Sequence, residues 1–172
     1  PDSVTTIGYE AFSFCSSLRE FTGKYAADAG RCLIIDNTII AYADASGTTY
    51  NIPDSVTSIG NSAFFQCYNL RSVTIPDSVT TINESAFEYC DSLTSVTIGD
   101  SVTAIGYYAF NGCESLKYVY CKATTPPALW GSDVFDSNAS DLKIYVPVGS
   151  VEAYKSAENW SEYTDAIVGY NF

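Results

Sequence analysis

Apolar residues recur along this chain with a period of 23 residues. Four blocks of that length align without gaps, and the second and third are identical at 15 of their 23 positions. The blocks cover residues 1–23, 53–75, 76–98 and 99–121. A period of this length, with one short supersecondary unit in each block, is typical of solenoid proteins.

Each block ends in alternating apolar and polar residues, which predict a short β-strand. In the third block Val96 and Ile98 alternate with Ser95 and Thr97. Pro-Asp-Ser follows and predicts a turn, because proline presets φ and the Asp and Ser side chains can bond nearby backbone groups. We expect parallel strands centred near residues 20–22, 50–52, 73–75, 96–98, 119–121 and 143–146.

The middle of each block predicts a short helix. Ala86, Phe87, Cys90 and Leu93 lie at positions i, i+1, i+4 and i+7, which share one helical face. A single block buries too few side chains to offset the conformational entropy lost in ordering its backbone. Neighbouring blocks must therefore stack and share their core, as in a solenoid.

The motif IPDSVTxIG, followed by AFxxCxxL and SVTI, resembles the BspA-like leucine-rich repeats of bacterial surface proteins. The resemblance covers nearly the whole chain. It implies an α/β right-handed solenoid with a parallel concave sheet and short convex helices. It also implies export to the bacterial cell surface or beyond it, and a role in adhesion or other protein binding.

Residues 24–52 interrupt the period and predict a β-hairpin. Two apolar runs, at 32–35 and 39–42, flank Asp-Asn-Thr, which favours a tight turn. Residues 49–53 then regain the phase of the repeat's strand. We expect one variant rung of 29 residues in which a hairpin replaces the helix, as also occurs in the family that the repeats resemble.

Residues 122–172 no longer match the repeat, and we expect them to form a C-terminal cap. Such a cap is needed because the end of a solenoid exposes an apolar face and unpaired strands. The alternation at 142–147 predicts a last strand. Residues 1–172 are therefore expected to form a single leucine-rich-repeat domain of about six rungs. Because residue 1 already lies inside a repeat, we expect the chain to belong to a longer protein.

Beyond that strand, the cap is expected to contain a short helix. Residues 151–157 carry a helical pattern, with Ser150 as its N-cap. Trp160 and Tyr163 are the predicted packing anchors. The segment YVPVGSVEAYKSAENW also resembles the terminal segment of BspA-like proteins.

The composition excludes several classes of function. Eight Lys and Arg residues against 20 Asp and Glu give a net charge of −12, which argues against binding to nucleic acid or to anionic lipid. The chain has no histidine, the commonest general base and metal ligand. No apolar run reaches about 18 residues, so we expect no membrane span. We predict no enzymatic activity and no cofactor.

Six cysteines leave alternatives open. Four occupy position 15 of the repeat and two lie elsewhere: Cys15, Cys67, Cys90 and Cys113, then Cys32 and Cys121. An even number of cysteines in an exported protein is compatible with disulfides. A zinc site is the second alternative, but zinc needs ligands that converge on one point, whereas cysteines in a linear column diverge. Their phase with the Phe and Leu positions favours buried, reduced thiols.

An aspartate also recurs, at position 2 of each block, in Asp2, Asp54, Asp77 and Asp100. Stacked carboxylates could hold calcium, but calcium takes six or more oxygen ligands. One aspartate per rung therefore favours turn capping, and we predict no metal site.

The outward residues of the predicted concave sheet change in character along the stack. They are small or polar in the early rungs, at Glu20, Thr22, Thr49, Asn51, Ser72, Thr74, Ser95 and Thr97. The last two rungs carry Tyr118, Tyr120, Lys143 and Tyr145 instead. Strands lie about 4.8 Å apart, so these residues should form one patch, unless the cap folds over them and buries them.

This patch is the predicted ligand-binding site, because exposed tyrosines supply stiff contact area at binding hot spots. The leading hypothesis is a cell-surface adhesion module that binds a host matrix protein or another surface protein. The alternative is a glycan-binding accessory protein of a bacterial surface system, because tyrosine rings also stack on sugars. A third hypothesis is a spacer whose ligand site lies in other repeats.

Overall fold

Two sheets contribute to one apolar core that extends through most of the chain. The computed structural model describes residues 7–8, 11–12, 15 and 17–172; Asp2 lies outside them. The strands of the described part are β1 (Ala26–Ala27), β2 (Cys32–Ile35), β3 (Thr38–Tyr42), β4 (Thr49–Asn51), β5 (Ser58–Ile59), β6 (Ser72–Ile75), β7 (Thr81–Ile82), β8 (Ser95–Ile98), β9 (Ala104–Ile105), β10 (Tyr118–Cys121), β11 (Ala128–Leu129), β12 (Lys143–Pro147) and β13 (Ile167–Tyr170).

The concave sheet has the order β13-β12-β10-β8-β6-β4, and all its pairings are parallel. Val73, Val96 and Val119 face one another across neighbouring strands, each one repeat after the last. This confirms the predicted parallel strands from residue 49 to residue 147. The sheet differs from the prediction at both ends, because β13 adds an unpredicted strand and residues 20–22 form none.

The second sheet was not predicted. Two-residue strands β5, β7, β9 and β11 pair in parallel. The first three follow the Pro-Asp-Ser or Gly-Asp-Ser turn of their blocks, and β11 follows Thr-Thr-Pro-Pro. The predicted hairpin joins this sheet, since β2 and β3 pair antiparallel and β3 then pairs in parallel with β5. Asp36 and Asn37 form the hairpin turn, with φ values of 48° and 59°. The variant rung is thus continuous with the stack.

The predicted convex helix is wrong for the second, third and fourth blocks. Residues 61–66, 84–89 and 107–112 form turns instead, and residues 132–137 repeat the pattern; we call these four segments the turn column. Ser62 and Gln66 have left-handed φ values of 54° and 56°, which a continuous α-helix does not allow.

Backbone hydrogen bonds in the turn column run between rungs as well as within them, and within one segment the amide of Phe65 donates to the carbonyl of Ser62 at 3.1 Å. The amides of Ser62, Phe64 and Gln66 donate to carbonyls of the next rung at 3.0, 2.8 and 2.9 Å. The helix-like spacing of apolar residues therefore reflects the inward positions of a stacked turn. Within the described part, the only α-helix is α1 (Val151–Ser156).

Residues 122–147 form another rung, although they lack the residue pattern that the four 23-residue blocks share. β11 extends the second sheet and β12 extends the concave sheet. Between them, Val134 and Asp136 accept backbone hydrogen bonds from the preceding rung at 3.0 and 2.9 Å. The regular architecture thus continues beyond residue 122, where we expected the cap to begin.

A stack of aromatic rings connects the rungs through the core. Consecutive ring centroids are 5.0, 4.6, 5.1, 5.4 and 5.8 Å apart. We call this stack the aromatic column; its members are Tyr42, Phe64, Phe87, Phe110, Phe135 and Trp160. The hairpin rung and the end of the chain therefore each supply a ring to the position that phenylalanine occupies in the blocks.

The end of the chain packs over the last rung as predicted. Trp160 is fully buried, and its Nε1 donates to the carbonyl of Pro127 at 2.7 Å. Tyr163 is also buried and its hydroxyl donates to the carbonyl of Ser132. Ser150 occupies the predicted N-cap position of α1, but its side chain makes no capping bond to the helix. Its hydroxyl donates instead to the carbonyl of Thr124 at 2.8 Å, which ties the cap to the rung below.

The hairpin explains why the first block adds no strand at residues 20–22. The amide of Phe21 donates to the carbonyl of Gly30 at 2.7 Å. The guanidinium of Arg31 donates to the carbonyl of Thr49, on the edge of β4, at 2.8 Å, and stacks over the ring of Tyr50 at 4.5 Å. A strand at residues 20–22 would have paired with β4. Backbone groups of both segments bond instead to Gly30 and Arg31, which lie between them in the sequence.

Candidate binding surface

The four predicted site residues lie together on the outer face of β10 and β12. Tyr118 is opposite Lys143, and Tyr120 is opposite Tyr145. We call these four residues the concave patch. Tyr118 is 43% exposed and the other three are half-buried. The cap therefore leaves the patch accessible and does not bury it.

The rings of the concave patch form an ordered platform. Tyr120 and Tyr145 stack with centroids 4.9 Å apart and planes 13° from parallel. Tyr170, on β13, packs edge-on against both, at 5.7 and 5.4 Å. Phe172 in turn packs edge-on against Tyr170 at 5.1 Å. Tyr170 and Phe172 were missed by the sequence analysis, because the short run Ile-Val-Gly-Tyr carries no alternation that predicts a strand.

The chemistry of the patch is that of neutral hydroxyls beside one cation. Burial and the neighbouring tyrosines raise the pKa of Tyr120, so its phenol stays protonated and can donate a hydrogen bond. Lys143 forms no ion pair with any described residue. At the rim, Lys117 and Asp141 pair at 3.0 Å, which raises the pKa of the lysine and lowers that of the aspartate.

The rest of the concave face offers little side-chain area for contact with a ligand. Its outward side chains are small or polar and are exposed or half-buried: Thr49, Asn51, Ser72, Thr74, Ser95 and Thr97. Ser95 donates to Ser72 at 3.1 Å, so part of this hydrogen-bonding capacity is used within the sheet. Glu20 and Thr22 are exposed but lie on no strand.

The cysteines are structural, with one departure from the prediction. All six thiols are free, and five are buried. Cys15 is exposed, so the prediction that every position-15 cysteine is buried was wrong there. Cys90 and Cys113 donate to carbonyls of the preceding rung at 3.0 and 3.1 Å. Burial raises the pKa of both thiols, which makes them poor nucleophiles.

The exposure of Cys15 coincides with a gap in the packing. A cavity of about 260 Å³ lies where the first block, the hairpin rung and the second block meet, and Cys15 and Cys67 both line it. The enclosed hydroxyls of Tyr42 and Ser62 also belong to its lining, and neither has a hydrogen-bond partner among the described residues. The position-15 column is therefore interrupted between its first and second members.

One of the aspartates that recur at position 2 of the blocks forms a hydrogen bond with the backbone of the neighbouring rung. Asp77 accepts the amide N–H of Asp100 at 3.0 Å. Lys122 lies 3.9 Å from the same carboxylate. Asp100 also accepts a hydrogen bond from the hydroxyl of Ser101, in its own turn, at 3.0 Å. These contacts favour the capping interpretation, with bonds both to the next rung and within the turn. In the part of the chain that the structure describes, no cluster of three or more metal-ligating side chains occurs.

Comparisons with known proteins agree with this architecture. The model of the BspA-type leucine-rich repeat region matches residues 1–27 and 35–153, as six copies. The chain belongs to this family. Within the described residues, no helix has the length and apolar character needed to cross a membrane. No curated protein matches the chain.

Solved structures of bacterial leucine-rich repeat proteins share the fold of this family member. A leucine-rich repeat protein from Bacteroides capillosus is 26% identical over 72% of this chain and 99% of its own, with a TM-score of 0.57. A leucine-rich cell surface protein from Faecalibacterium prausnitzii is 27% identical over 96% of this chain, with a TM-score of 0.64. A leucine-rich repeat protein from Eubacterium ventriosum is 27% identical over 83% of this chain, with a TM-score of 0.55. The chain spans only 45% and 38% of the last two proteins.

Proposed function

We propose that this BspA-type chain is a non-enzymatic binding module that holds a partner protein through its concave patch. The observation that carries the proposal is the accessible platform of Tyr118, Tyr120 and Tyr145 beside Lys143. Rigid aromatic side chains provide contact area at low entropic cost, and tyrosine is enriched at binding hot spots. Lys143 adds a cation that can meet an acidic group of the partner.

The proposed setting is the bacterial surface, with adhesion to a host matrix protein or another surface protein as the role. The support is the family itself and the Faecalibacterium prausnitzii neighbour, which is described as a cell surface protein. We also propose that residues 1–172 form one domain, since a single apolar cluster includes residues from Cys32 to Ile167.

Replacing Tyr118 and Tyr120 by serine tests the proposed site. Binding to a matrix or surface protein selected from a panel should weaken by roughly 2 kcal/mol or more. Stability should change by no more than about 1 kcal/mol for each substitution, because both side chains face outward. Surface plasmon resonance and chemical denaturation measure the two quantities.

The matched control is Tyr68→Ser, which removes a tyrosine that is 39% exposed and lies outside the strands of the concave sheet. This variant should keep the wild-type affinity. Full affinity in the Tyr118→Ser, Tyr120→Ser protein would show that the patch is not the site. If no protein of the panel binds the wild-type chain, the spacer hypothesis is favoured.

A glycan is the second candidate ligand. The near-parallel Tyr120 and Tyr145 rings, with Tyr170 edge-on beside them, favour it, because a flat aromatic platform suits the apolar face of a sugar ring. A glycan array separates the two candidates. Saturable binding to defined sugars, lost in the Tyr118→Ser, Tyr120→Ser variant, would support the glycan in place of the protein ligand.

A further inference from the structure

A second group of exposed aromatic residues lies at the turn column, away from the concave sheet. Tyr107, Tyr108 and Trp130 are 46%, 42% and 41% exposed. The rings of Tyr107 and Trp130 meet edge to face, with centroids 6.2 Å apart. Monomeric proteins rarely expose several large aromatic side chains next to one another. Such a group of exposed rings indicates an interaction site.

Carboxylates surround these rings. A Cβ placed on Gly131 would lie 2.8 Å from both the ring of Tyr107 and Oδ1 of Asp133, so the ring and the carboxylate meet above this glycine. The next acidic residue, Glu84, is brought close by the bond from the amide of Ser85 to the carbonyl of Tyr107, at 2.9 Å.

The negative charge at this surface is uncompensated. Asp133 raises the pKa of Tyr108, and Glu88 and Glu84 contribute with the same sign. Among the described residues, no lysine or arginine forms an ion pair with any of these three carboxylates. The surface therefore combines aromatic faces with carboxylates that no described cation neutralises.

We propose that Tyr107, Tyr108, Trp130, Glu84, Glu88 and Asp133 form a second binding surface, the turn-side patch, which takes an arginine-rich segment of a partner protein. A guanidinium is planar, stacks on aromatic rings and donates to carboxylates at the same time. Lysine lacks the planar stacking face. A second copy of this chain is disfavoured as the partner, because each copy carries a net charge of −12.

The probe is a short peptide with arginine at alternate positions, titrated calorimetrically at physiological salt. Its citrulline counterpart keeps the planar shape and some of the N–H donors but not the charge, and its lysine counterpart keeps the charge and N–H donors but not the planar face. We expect the arginine peptide to bind, the lysine peptide to bind at least several-fold more weakly, and the citrulline peptide not to bind.

Two pairs of substitutions separate the patch from general attraction to an acidic protein. Tyr107→Leu with Trp130→Leu removes the aromatic faces without changing the charge, and should weaken binding roughly tenfold. Glu84→Gln with Glu88→Gln should weaken it roughly fivefold. Glu152→Gln with Glu158→Gln removes the same charge from exposed positions near the chain's end and should change affinity less than twofold.

Tryptophan emission gives a local readout. The chain has two tryptophans, and Trp160 is fully buried, so a peptide-induced shift in emission reports on Trp130. The Tyr118→Ser, Tyr120→Ser variant should bind the arginine peptide normally, since the turn-side patch does not depend on the concave patch.

Several outcomes would overturn the proposal: no binding of the arginine peptide, equal binding of the citrulline peptide, or wild-type affinity in the Tyr107→Leu, Trp130→Leu protein. An equal loss in the Glu152→Gln, Glu158→Gln control would also overturn it, because attraction would then depend on net charge alone.

Discussion

In the first block and in the segment after the fourth block, sequence and structure disagree in opposite directions. Residues 1–23 match the repeat in sequence, yet residues 20–22 form no strand. Residues 122–147 have lost the residue pattern that the four blocks share, although the family model extends over them, and they add a strand to each sheet and a turn to the turn column. A repeat in sequence records which side chains face inward, whereas a rung requires hydrogen-bonding partners in the rung beside it.

In the described part of the first block, backbone groups near residues 20–22 bond to the hairpin segment that follows, although the carbonyl of Leu18 accepts the amide of Ala45 at 2.9 Å. The carbonyl of Gly30 accepts a hydrogen bond from the amide of Phe21, and the guanidinium of Arg31 donates one to the carbonyl of Thr49. The described apolar residues of the first block accordingly join a small separate cluster around Phe21, Leu33 and Ala41. The packing at this end is also incomplete, as the cavity of about 260 Å³ shows.

The opposite end keeps both the bonds and the core. Phe135 continues the aromatic column from Phe110 at 5.4 Å, although the sequence around it has diverged. Trp160 then covers Phe135 and is itself fully buried. One aromatic ring per rung, with strands that continue two existing sheets, is therefore sufficient to extend the solenoid.

Truncation of the same repeat position in two blocks gives the largest expected contrast. Phe12 and Phe87 both occupy position 12, but Phe87 is fully buried between two stacked rings and Phe12 is half-buried. Phe87→Ala should lower the free energy of unfolding by roughly 3–5 kcal/mol, and Phe12→Ala by about 1 kcal/mol. Urea denaturation measures both. Equal losses would mean that the first block is packed as well as the third.

Alkaline pH should weaken the C-terminal rungs. Burial raises the pKa of Cys121 from 9.0 to about 11, and it also raises the pKa of Tyr154, whose hydroxyl lies 3.2 Å from the Cys121 sulfur. Because the unfolded thiol ionises first, the stabilisation is complete below about pH 9 and is lost as the pH rises through 11.

Cys121→Ala should therefore make stability less dependent on pH between 8 and 11, by on the order of 2 kcal/mol. Denaturation at a series of pH values measures this. Cys15→Ala is the control for removal of a thiol and should cost little stability, because Cys15 is exposed. A pH dependence that is identical in wild type and in Cys121→Ala would contradict the assignment.

A smaller effect is expected where the hairpin meets β4. Arg31→Leu removes the 2.8 Å bond to Thr49 and the stacking over Tyr50, which together should cost about 1 kcal/mol. Lys24→Leu removes a looser contact, with the ammonium 4.9 Å from the centre of the Tyr25 ring, and should cost less. If the two substitutions cost the same, Arg31 does not stabilise the edge of the sheet.

Several features of the fold followed from the sequence. The 23-residue period predicted the parallel concave strands, and Asp36 and Asn37 predicted the hairpin turn. The outward position of Tyr118 and Tyr120 followed from strict alternation along the strand. These features depend on the alternation of residues along a strand and on the 23-residue period. Both can be read directly from the sequence.

The features that were missed depend on contacts between rungs. Turns stacked through inter-rung amides produce nearly the same apolar spacing as one face of a helix, so the turn column was interpreted as helical. Tyr170 reaches the concave patch only because β13 pairs with β12. Trp130 comes to lie beside Tyr107 through the second sheet, which has only two residues in each of its later strands.

Thiol reactivity should distinguish the two ends without changing stability at all. In the native protein at pH 8, iodoacetamide should modify Cys15 quickly, because its side chain is exposed. Cys90, Cys113 and Cys121 should react far more slowly, since burial both raises their pKa values and blocks access. Mass spectrometry of tryptic peptides over time measures each site. In denaturant without reductant, all six thiols should react. A disulfide would lower that total by two, and rapid native modification of Cys90 would show that the central rungs open as readily as the first block.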